Sequence, residues 1–442
     1  MSPVVAAFRS RPGRAPVARG ALTVAVGRGA RFVTRLRGGG TALPGLIVEK
    51  LDPGFVSRAL GALPLGVVVV SGTNGKTTTT RLVAELLRGQ GLAVFTNPSG
   101  SNYSRGVASA LLGQVDSRGR LRADVAVLEL DEAHGVRFAE QVPPRFALLL
   151  NVFRDQLDRF GEIDSTARML GAIAGRTTGA VVLNREDRRV AAIAGALRDT
   201  PVRYFGTADA LVDRFPGDDE LHTAGGRLDR SDIAADVVLT AIEGAAATFE
   251  FDGRSRTVDL RLTGGYNMLN AAAAIALVRA VLGEAVDEAA LLRTLSTVTP
   301  AFGRGETVEV GGTIVELVLV KNPIGFRLAL ESYAPEGCTT MIAINDHDND
   351  SRDVSWLWDV DFSPLRGTGV AVVTGTRAAE MALRLRYDDI EPPQIVGDPG
   401  EALDHLVATS EGRPIRAFCT YTAMLQLRRH LATVATLDGI DR

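Results

Sequence analysis

Four consecutive valines pass straight into a glycine loop and a threonine-rich segment, Val67-Val-Val-Val-Ser-Gly-Thr-Asn-Gly-Lys-Thr-Thr-Thr-Thr80, and no other stretch limits the fold as tightly. An unbroken apolar run of this length suits a short strand. A strand that turns through glycines into a helix start can grip phosphate. Gly72 and Gly75 leave backbone N–H groups bare, and the helix dipole adds favourable positive potential. In such a loop Lys76 meets the β- and γ-phosphates and the Thr77 hydroxyl ligates Mg²⁺, while Thr73, Asn74 and Thr78 complete the contact set. The pattern G-x-x-x-x-G-K-[ST] is matched except at its first glycine, where Val70 stands; a chance glycine-rich turn stays open on this pattern alone.

The chain has 442 residues, enough for two or three domains. A formal charge of −3 lacks the strongly basic balance of a bulk nucleic-acid binder, so no nucleic-acid partner is expected. Cys338 and Cys419 are too few for a Cys₄ zinc site or a disulfide framework, which favours a reducing, cytoplasmic setting. No run approaches the ~18 apolar residues of a membrane span, and the start lacks the order of a secretory signal. Residues 1–45 read as a basic arm: Arg9, Arg11, Arg14, Arg19, Arg28, Arg31, Arg35 and Arg37 precede the first acidic residue, Glu49. Such an arm fits peripheral contact with an anionic membrane face, worth about 1 kcal/mol per arginine near the surface. A frayed arm with solvated arginines fits equally well.

Strands are expected at 66–71, 92–95, 124–130 and 146–151, with helices at 76–89 and near 106–113. This alternation predicts a mostly parallel sheet with ligands at the carboxyl ends of its strands, where Gly72 and Glu129 fall. The pattern continues through Gly179–Leu183 and Val202–Gly206. It then gives way to period-two segments around Ala245–Phe251 and Arg256–Leu262, joined by the turn pair Asp252-Gly253, a small antiparallel excursion. Helices are expected over Asn267–Leu282 and Asp287–Leu295, and Pro300–Gly305 reads as a linker. Domains are therefore expected at 46–300 and 301–442, the second a further α/β sheet with strands near Thr313–Val320, Thr340–Ile344, Gly369–Val373 and Ile415–Phe418.

Glu129 ends the apolar run Val125-Ala-Val-Leu-Glu129, with Asp131 and Glu132 just beyond. A strand-end carboxylate near Thr77 suits Mg²⁺, which takes one or two protein oxygens beside phosphate oxygens and water. A solvated acidic loop is the plain alternative. Cys419 ends a strand before a helix but lacks the glycines of a nucleophile elbow, so buried structural thiols are expected for both cysteines.

Gly72-Thr-Asn-Gly-Lys-Thr77 resembles the P-loop of the Mur ligase superfamily, whose members phosphorylate a carboxylate with ATP and let an amine attack the acyl phosphate. Gly264-Gly-Tyr-Asn-Met-Leu-Asn270 resembles its G-x-x-N-x-x-N motif, which implies nucleotide contacts for Asn267 and Asn270, although Asn267 is open to a helix N-cap role. Asn184 and Asp187 resemble its adenine-side motif. Phe302-Gly-Arg-Gly-Glu306 resembles its hinge, with Arg304 reaching the phosphates or ribose. Three segments narrow the resemblance to the MurT-type subunit of lipid II isoglutaminyl synthase. Asn151-Val-Phe-Arg-Asp-Gln-Leu-Asp-Arg159 carries Gln156 where amino-acid-adding Mur ligases have a metal-binding His, and Lys321-Asn-Pro-Ile-Gly325 replaces their D-x-A-H-N-P loop. Asn345–Phe362 closely resembles the N-D-x-x-A-D-G-x-D-x-S-W motif, with Asn349 and Ser351 departing from it.

That resemblance implies a Mur ligase central ATPase domain followed by a Rossmann-like C-terminal domain. It implies ATP-dependent activation of the D-glutamate α-carboxyl in the stem peptide of lipid II, amidated by ammonia from a GatD-type glutamine amidotransferase in a heterodimer. Lys76 and Glu129 take catalytic roles, and an Asp completes the partner's Cys-His pair; Asp353 is the choice here, ahead of Asp346, Asp348 and Asp350. Where many such subunits insert a four-cysteine zinc ribbon, Gly206–Asp232 has no cysteine, so no zinc is expected. A free-standing Mur or folylpolyglutamate-type amino-acid ligase and a non-catalytic nucleotide-binding scaffold are the alternatives.

Overall fold

The valine run is an interior strand of a sheet. The computed structural model describes residues 17–36, 42–97, 104–154, 163–218, 220, 230, 232–262, 264–299, 304–333, 336–348, 350, 352–391 and 394–435. In it, β1 (Val67–Ser71) is buried along its whole length and pairs in parallel with β3 (Val125–Glu129) on one side and β4 (Phe146–Leu149) on the other. Two ladders and two helix-covered faces leave no position for a polar side chain until the strand ends, hence the unbroken apolar sequence. With β2 (Val94–Thr96), β5 (Ala180–Asn184), β6 (Val202–Thr207), β7 (Val237–Glu243), β8 (Ala246–Phe251) and β9 (Arg254–Asp259), the sheet order is β2-β3-β1-β4-β5-β6-β7-β8-β9. Pairing is parallel from β2 through β7 and antiparallel from β7 to β9. The β8–β9 turn is the expected Asp252-Gly253, with φ of 51° and 64°, the left-handed pair a two-residue hairpin requires.

Helices close both faces. Preceding β1 are α1 (Val17–Leu36), α2 (Ala42–Leu51) and α3 (Phe55–Gly61); α4 (Lys76–Gly89) follows the glycine loop. Then come α5 (Ser104–Gln114), α6 (Glu132–Gln141), α7 (Ile163–Ala174) and α8 (Arg188–Ala192). The alanine-rich α9 (Gly265–Leu282) is buried at every residue from Met268 to Val278. Small side chains let it approach its neighbours from all sides, which is why it lacks a polar face. Contrary to the expectation that no run approaches a membrane span, Gly265–Ala285 is long and apolar enough to cross a membrane by composition, and its burial makes it a core helix. Asp287 caps α10 (Glu288–Leu295) by accepting from Ala290 N–H at 3.0 Å, and Gln90 beyond α4 holds both backbone groups of Asp287, at 2.8 and 2.9 Å.

The chain divides into two compact units, one of Met1–Phe153, Glu162–Arg261 and Tyr266–Val298, the other of Arg154–Gly161, Leu262–Gly265 and Thr299–Arg442. The second carries β10 (Arg304–Val310), β11 (Thr313–Leu319), β12 (Thr339–Ala343), β13 (Val372–Thr374), β14 (Gln394–Val396) and β15 (Ile415–Cys419), in the order β10-β11-β15-β12-β13-β14. Only β10–β11 is antiparallel. Its helices are α11 (Pro323–Ser332), α12 (Ala378–Tyr387), α13 (Pro399–Thr409) and α14 (Tyr421–Val434).

Two local expectations change. Residues 17–36, for which a frayed arm was open, form α1, because Thr23 and Val24 are buried and Gly27 lets Leu112 and Val48 approach closer than any Cβ would allow. The expected linker Pro300–Gly305 contains the start of β10, since Arg304 pairs with Val318; residues 300–303 lie outside the described set. Also outside it are Arg9, Arg11, Arg14, Arg37, the segment 155–162 with Gln156, Asn349, Ser351 and most of 219–231 in the cysteine-free stretch.

Candidate active site

The carboxyl ends of β1, β3 and β4 are neighbours, so the loops leaving them converge. Gly72 has φ of 132° and Gly75 of 87°, and both are pressed against other elements. A Cβ on Gly72 would sit 3.0 Å from the Asn151 backbone N and O, and one on Gly75 would sit 2.7 Å from Asn270 Oδ1. The glycines therefore serve both a backbone conformation barred to other residues and two close approaches.

Asn151, at the end of β4, holds the loop. Its Nδ2 donates to the Asn74 carbonyl at 3.0 Å and its Oδ1 accepts from Asn74 N–H at 2.8 Å, while its own carbonyl accepts from Thr73 N–H at 3.0 Å. Thr73 Oγ1 accepts from Phe153 N–H at 3.0 Å. Lys76 Nζ donates to the carbonyls of Gly72 and Thr73 and lies 3.5 Å from Glu132 Oε1, a carboxylate only 6% exposed. Thr77 Oγ1 donates to Glu129 Oε1 at 3.0 Å; Thr78 is buried beneath it. Glu129 is held in turn by Asn97, whose side-chain amide accepts from its N–H and donates to its carbonyl, each at 3.0 Å. The structure thus brings together Gly72, Thr73, Asn74, Gly75, Lys76, Thr77, Glu129 and Asn270.

Asn151 and Asn270 also line a cleft of about 400 Å³ that runs past Asn184, Glu186 and Asp187 to Phe215 and Tyr266. Asn184 donates to the Leu150 carbonyl at 2.8 Å. Asp187 caps α8 by accepting from Arg189 and Val190 N–H, and also accepts from Val152 N–H at 2.6 Å. Burial pushes its carboxyl up to about 6, against the opposing pull of these three donors. Phe215 and Tyr266 meet edge to face with centroids 5.0 Å apart. Asn267 lies within the first turn of α9, because the helix begins at Gly265, so it is not the N-cap.

Sequence reasoning passed over four of these groups. Glu132, which the sequence shows only as part of an acidic loop, is the carboxylate facing Lys76; Asp131 beside it caps α6 by accepting from Ala133 N–H at 3.2 Å. Asn151 was noted only within a longer motif. Asn97 and Glu186 carry no signal, and Glu186, its side chain only 4% exposed, accepts from Thr207 N–H at 2.7 Å and pairs with Arg230.

Arg304 belongs to the second unit, as do Lys321 and Asn322; Asn322 caps α11 by accepting from Gly325 N–H at 2.7 Å. Among the aspartates of 346–353, Asp346 pairs with Arg377 at 2.8 Å and exposed Asp348 with Arg352. Asp350 is buried, accepting from Thr422 N–H at 2.7 Å and from the Thr422 hydroxyl. Asp353 is exposed, and Ser355 N–H, donating at 2.8 Å, holds its carboxyl below the usual carboxylate range. Cys419 is buried, its Sγ donating to the Val318 carbonyl, and burial drives its thiol pKa upward, away from nucleophilic use. Cys338 is half-buried rather than buried.

A glycine loop after an interior strand and a carboxylate at the neighbouring strand's end, on a mostly parallel sheet followed by a second α/β unit, define a Mur-type ligase. Residues 70–278 match the Mur ligase middle domain and residues 319–424 the MurT ligase C-terminal domain. MurF ligase from Thermotoga maritima in complex with ADP has the same fold, with a TM-score of 0.65 at 20% identity over 89% of this chain and 85% of that one. Lipid II isoglutaminyl synthase (glutamine-hydrolyzing) subunit MurT of Streptococcus pneumoniae is 31% identical over 93% of this chain and 97% of its own length. The MurT subunit of Staphylococcus aureus is 30% identical over 81% and 85%. The chain belongs to the MurT family of Mur ligases.

Proposed function

We propose that this chain is the ATP-dependent subunit of a lipid II isoglutaminyl synthase, working in the cytoplasm with a separate glutaminase subunit. The observation that carries the reading is similarity to MurT subunits over nearly the whole length of both chains. Two free cysteines accord with a reducing compartment.

In the first step a carboxylate oxygen of the D-glutamate α-carboxyl attacks the γ-phosphorus of ATP, ADP leaves, and an acyl phosphate forms. The carboxylate is already ionised and needs no base, so positioning and charge cancellation supply the catalysis. Lys76 exchanges its loop carbonyls for phosphate oxygens, with Glu132 keeping the ammonium within reach. The Gly72–Lys76 backbone cradles the phosphates. The Thr77 hydroxyl and Glu129 carboxylate, 3.0 Å apart, are hard oxygen donors that fit Mg²⁺ as the two protein ligands it accepts beside phosphate. When bound, the ion would offset the charge of the β- and γ-phosphates. The base lies in the cleft past Asn184 and Asp187, with Asn267 and Asn270 on the helix opposite.

In the second step ammonia attacks the acyl carbon, a proton is lost, phosphate leaves, and the D-isoglutamine amide remains. Buried Cys419 is unsuited to releasing that ammonia, so a GatD-type amidotransferase supplies it. Asp353 is exposed and ionised, as needed to orient an imidazole on a partner.

The test is co-purification with a GatD-type amidotransferase, followed by lipid II amidation with glutamine or ammonium as donor. Amidation that needs ATP, and that needs the partner only with glutamine, supports the reading. Amino acids outcompeting ammonia would indicate a free-standing ligase, and no nucleotide turnover would indicate a scaffold. Lys76→Ala should cut amidation at least ~100-fold while leaving the fold intact by circular dichroism.

A further inference from the structure

The matched domains begin at residue 70 and leave the helices before β1 unassigned. These helices have an unusual exterior. At about 100° per residue, Leu22, Ala25, Val26, Gly29 and Phe32 of α1 fall within roughly a third of a turn, opposite buried Thr23, Val24 and Gly27. Leu22 is 70% exposed and Phe32 65%. On α2, Leu43, Ile47 and Leu51 recur every fourth position, with Leu43 53% and Leu51 59% exposed and Lys50 beside them. Both rows lie on helices that pack against each other and against α5, so an apolar face is turned outward by a part of the fold that already has its core.

The charge of this hairpin is mainly positive, with Arg19, Arg28, Arg31, Arg35 and Lys50 against Glu49. Residues 1–48 hold eight arginines and no aspartate or glutamate. Arg28 donates to the carbonyls of Leu112 and Val115, at 3.2 and 2.7 Å, which fixes its guanidinium without cancelling its charge. The first carboxylates are already engaged, Glu49 with Arg105 at 3.1 Å and Asp52 with Arg58. Exposed apolar rows on helices of net positive charge are the pattern of an interfacial anchor, whose apolar side chains enter the acyl boundary while its cations meet anionic headgroups. A protein partner would be expected to answer such a face with carboxylates in one fixed register. A bilayer supplies both apolar depth and negative charge with no register, which suits two short rows on separate helices.

We propose that the α1–α2 hairpin docks the protein on an anionic lipid surface, inserting Leu22, Val26, Phe32, Leu43 and Leu51. The inference stands on the hairpin alone and does not need the amidation chemistry, although it would bring the site to a lipid-linked substrate.

The test is co-sedimentation of the full chain with vesicles of phosphatidylglycerol mixed with phosphatidylcholine, against phosphatidylcholine alone, at 0.05 and 0.5 M salt. Binding only to the anionic vesicles, weakened by salt and reduced about 30-fold in Leu22→Ser/Phe32→Ser, is expected. The variant should keep the ADP affinity and melting temperature of the parent, which separates lost docking from lost folding, and ADP binding is read without vesicles. No binding to anionic vesicles, or equal binding by the variant, overturns the proposal. A salt-insensitive dimer abolished by the same substitutions would also overturn it, assigning the face to a second copy of this chain.

Discussion

Asn151→Ala tests whether the phosphate loop is shaped before nucleotide arrives. The side chain makes two hydrogen bonds to one loop residue, Asn74, at 2.8 and 3.0 Å, from a position only 7% exposed. At about 1 kcal/mol net each, their loss costs about 2 kcal/mol. The bonds of Thr73 to the Asn151 carbonyl and to Phe153 survive the substitution, so the loop loosens locally and the sheet beneath it does not. The cost then falls on binding, because nucleotide must restore the loop, and with tenfold per 1.4 kcal/mol the Kd for ADP rises about 30-fold. Titration calorimetry with ADP and thermal unfolding of the nucleotide-free protein separate the outcomes. A 30-fold weaker Kd with an unchanged melting temperature is expected; a melting temperature lower by about 4–8 °C with unchanged affinity would mean the clasp supports the fold instead. Kd and melting temperature both at parental values would refute the reasoning. Asn151→Asp sharpens it, since the acid keeps the acceptor for Asn74 N–H but loses the donor and adds negative charge beside the phosphates. It should bind ADP more weakly than the alanine variant, and parental affinity would place the phosphates elsewhere.

Gly75→Ala should cost roughly 1–3 kcal/mol from its left-handed backbone, with added crowding of Asn270, seen as a lower melting temperature and loss of ADP binding. Asp187 has its carboxyl raised in the folded state to about 6 from 3.8, so its favourable contribution is fully present below about pH 4 and is lost as pH rises through 6. Urea unfolding from pH 4 to 7 should show that decline, on the order of 3 kcal/mol, and Asp187→Asn should flatten it. Asp353→Asn should abolish glutaminase activity of the complex at unchanged stability. Asp350→Asn should instead destabilise the second unit by about 1–3 kcal/mol, because its carboxylate holds Thr422, with glutaminase activity kept in the folded fraction.

Much of the first sheet was legible because its signals are local. The helix expected over 76–89 is observed at Lys76–Gly89, and the Asp252-Gly253 turn joins the two strands it was expected to join. Strand ends were less clear where few residues are involved: β2 and β14 span three residues each, too short for a period to emerge. The strand β10 was hidden because Pro300–Gly305 reads as a linker, and its pairing with β11 supplies what its composition lacks. The helix α1 was hidden by its arginines, which suggest solvent, whereas its buried face rests on Thr23, Val24 and Gly27.

The order of elements, the glycine loop and the strand-end position of Glu129 are written locally in the chain, since each depends on neighbours a few residues apart. Which polar groups meet is set by the fold in three dimensions. Asn151 clasps Asn74 across 77 residues, Asn97 holds Glu129 across 32, and Glu132 faces Lys76 across 56. Asp350 and Asp353, three residues apart and alike on paper, part company because one is buried against Thr422 and the other faces solvent. Periodicity and propensity act along the chain, whereas burial and hydrogen-bond partnership arise only when distant strand ends are brought side by side.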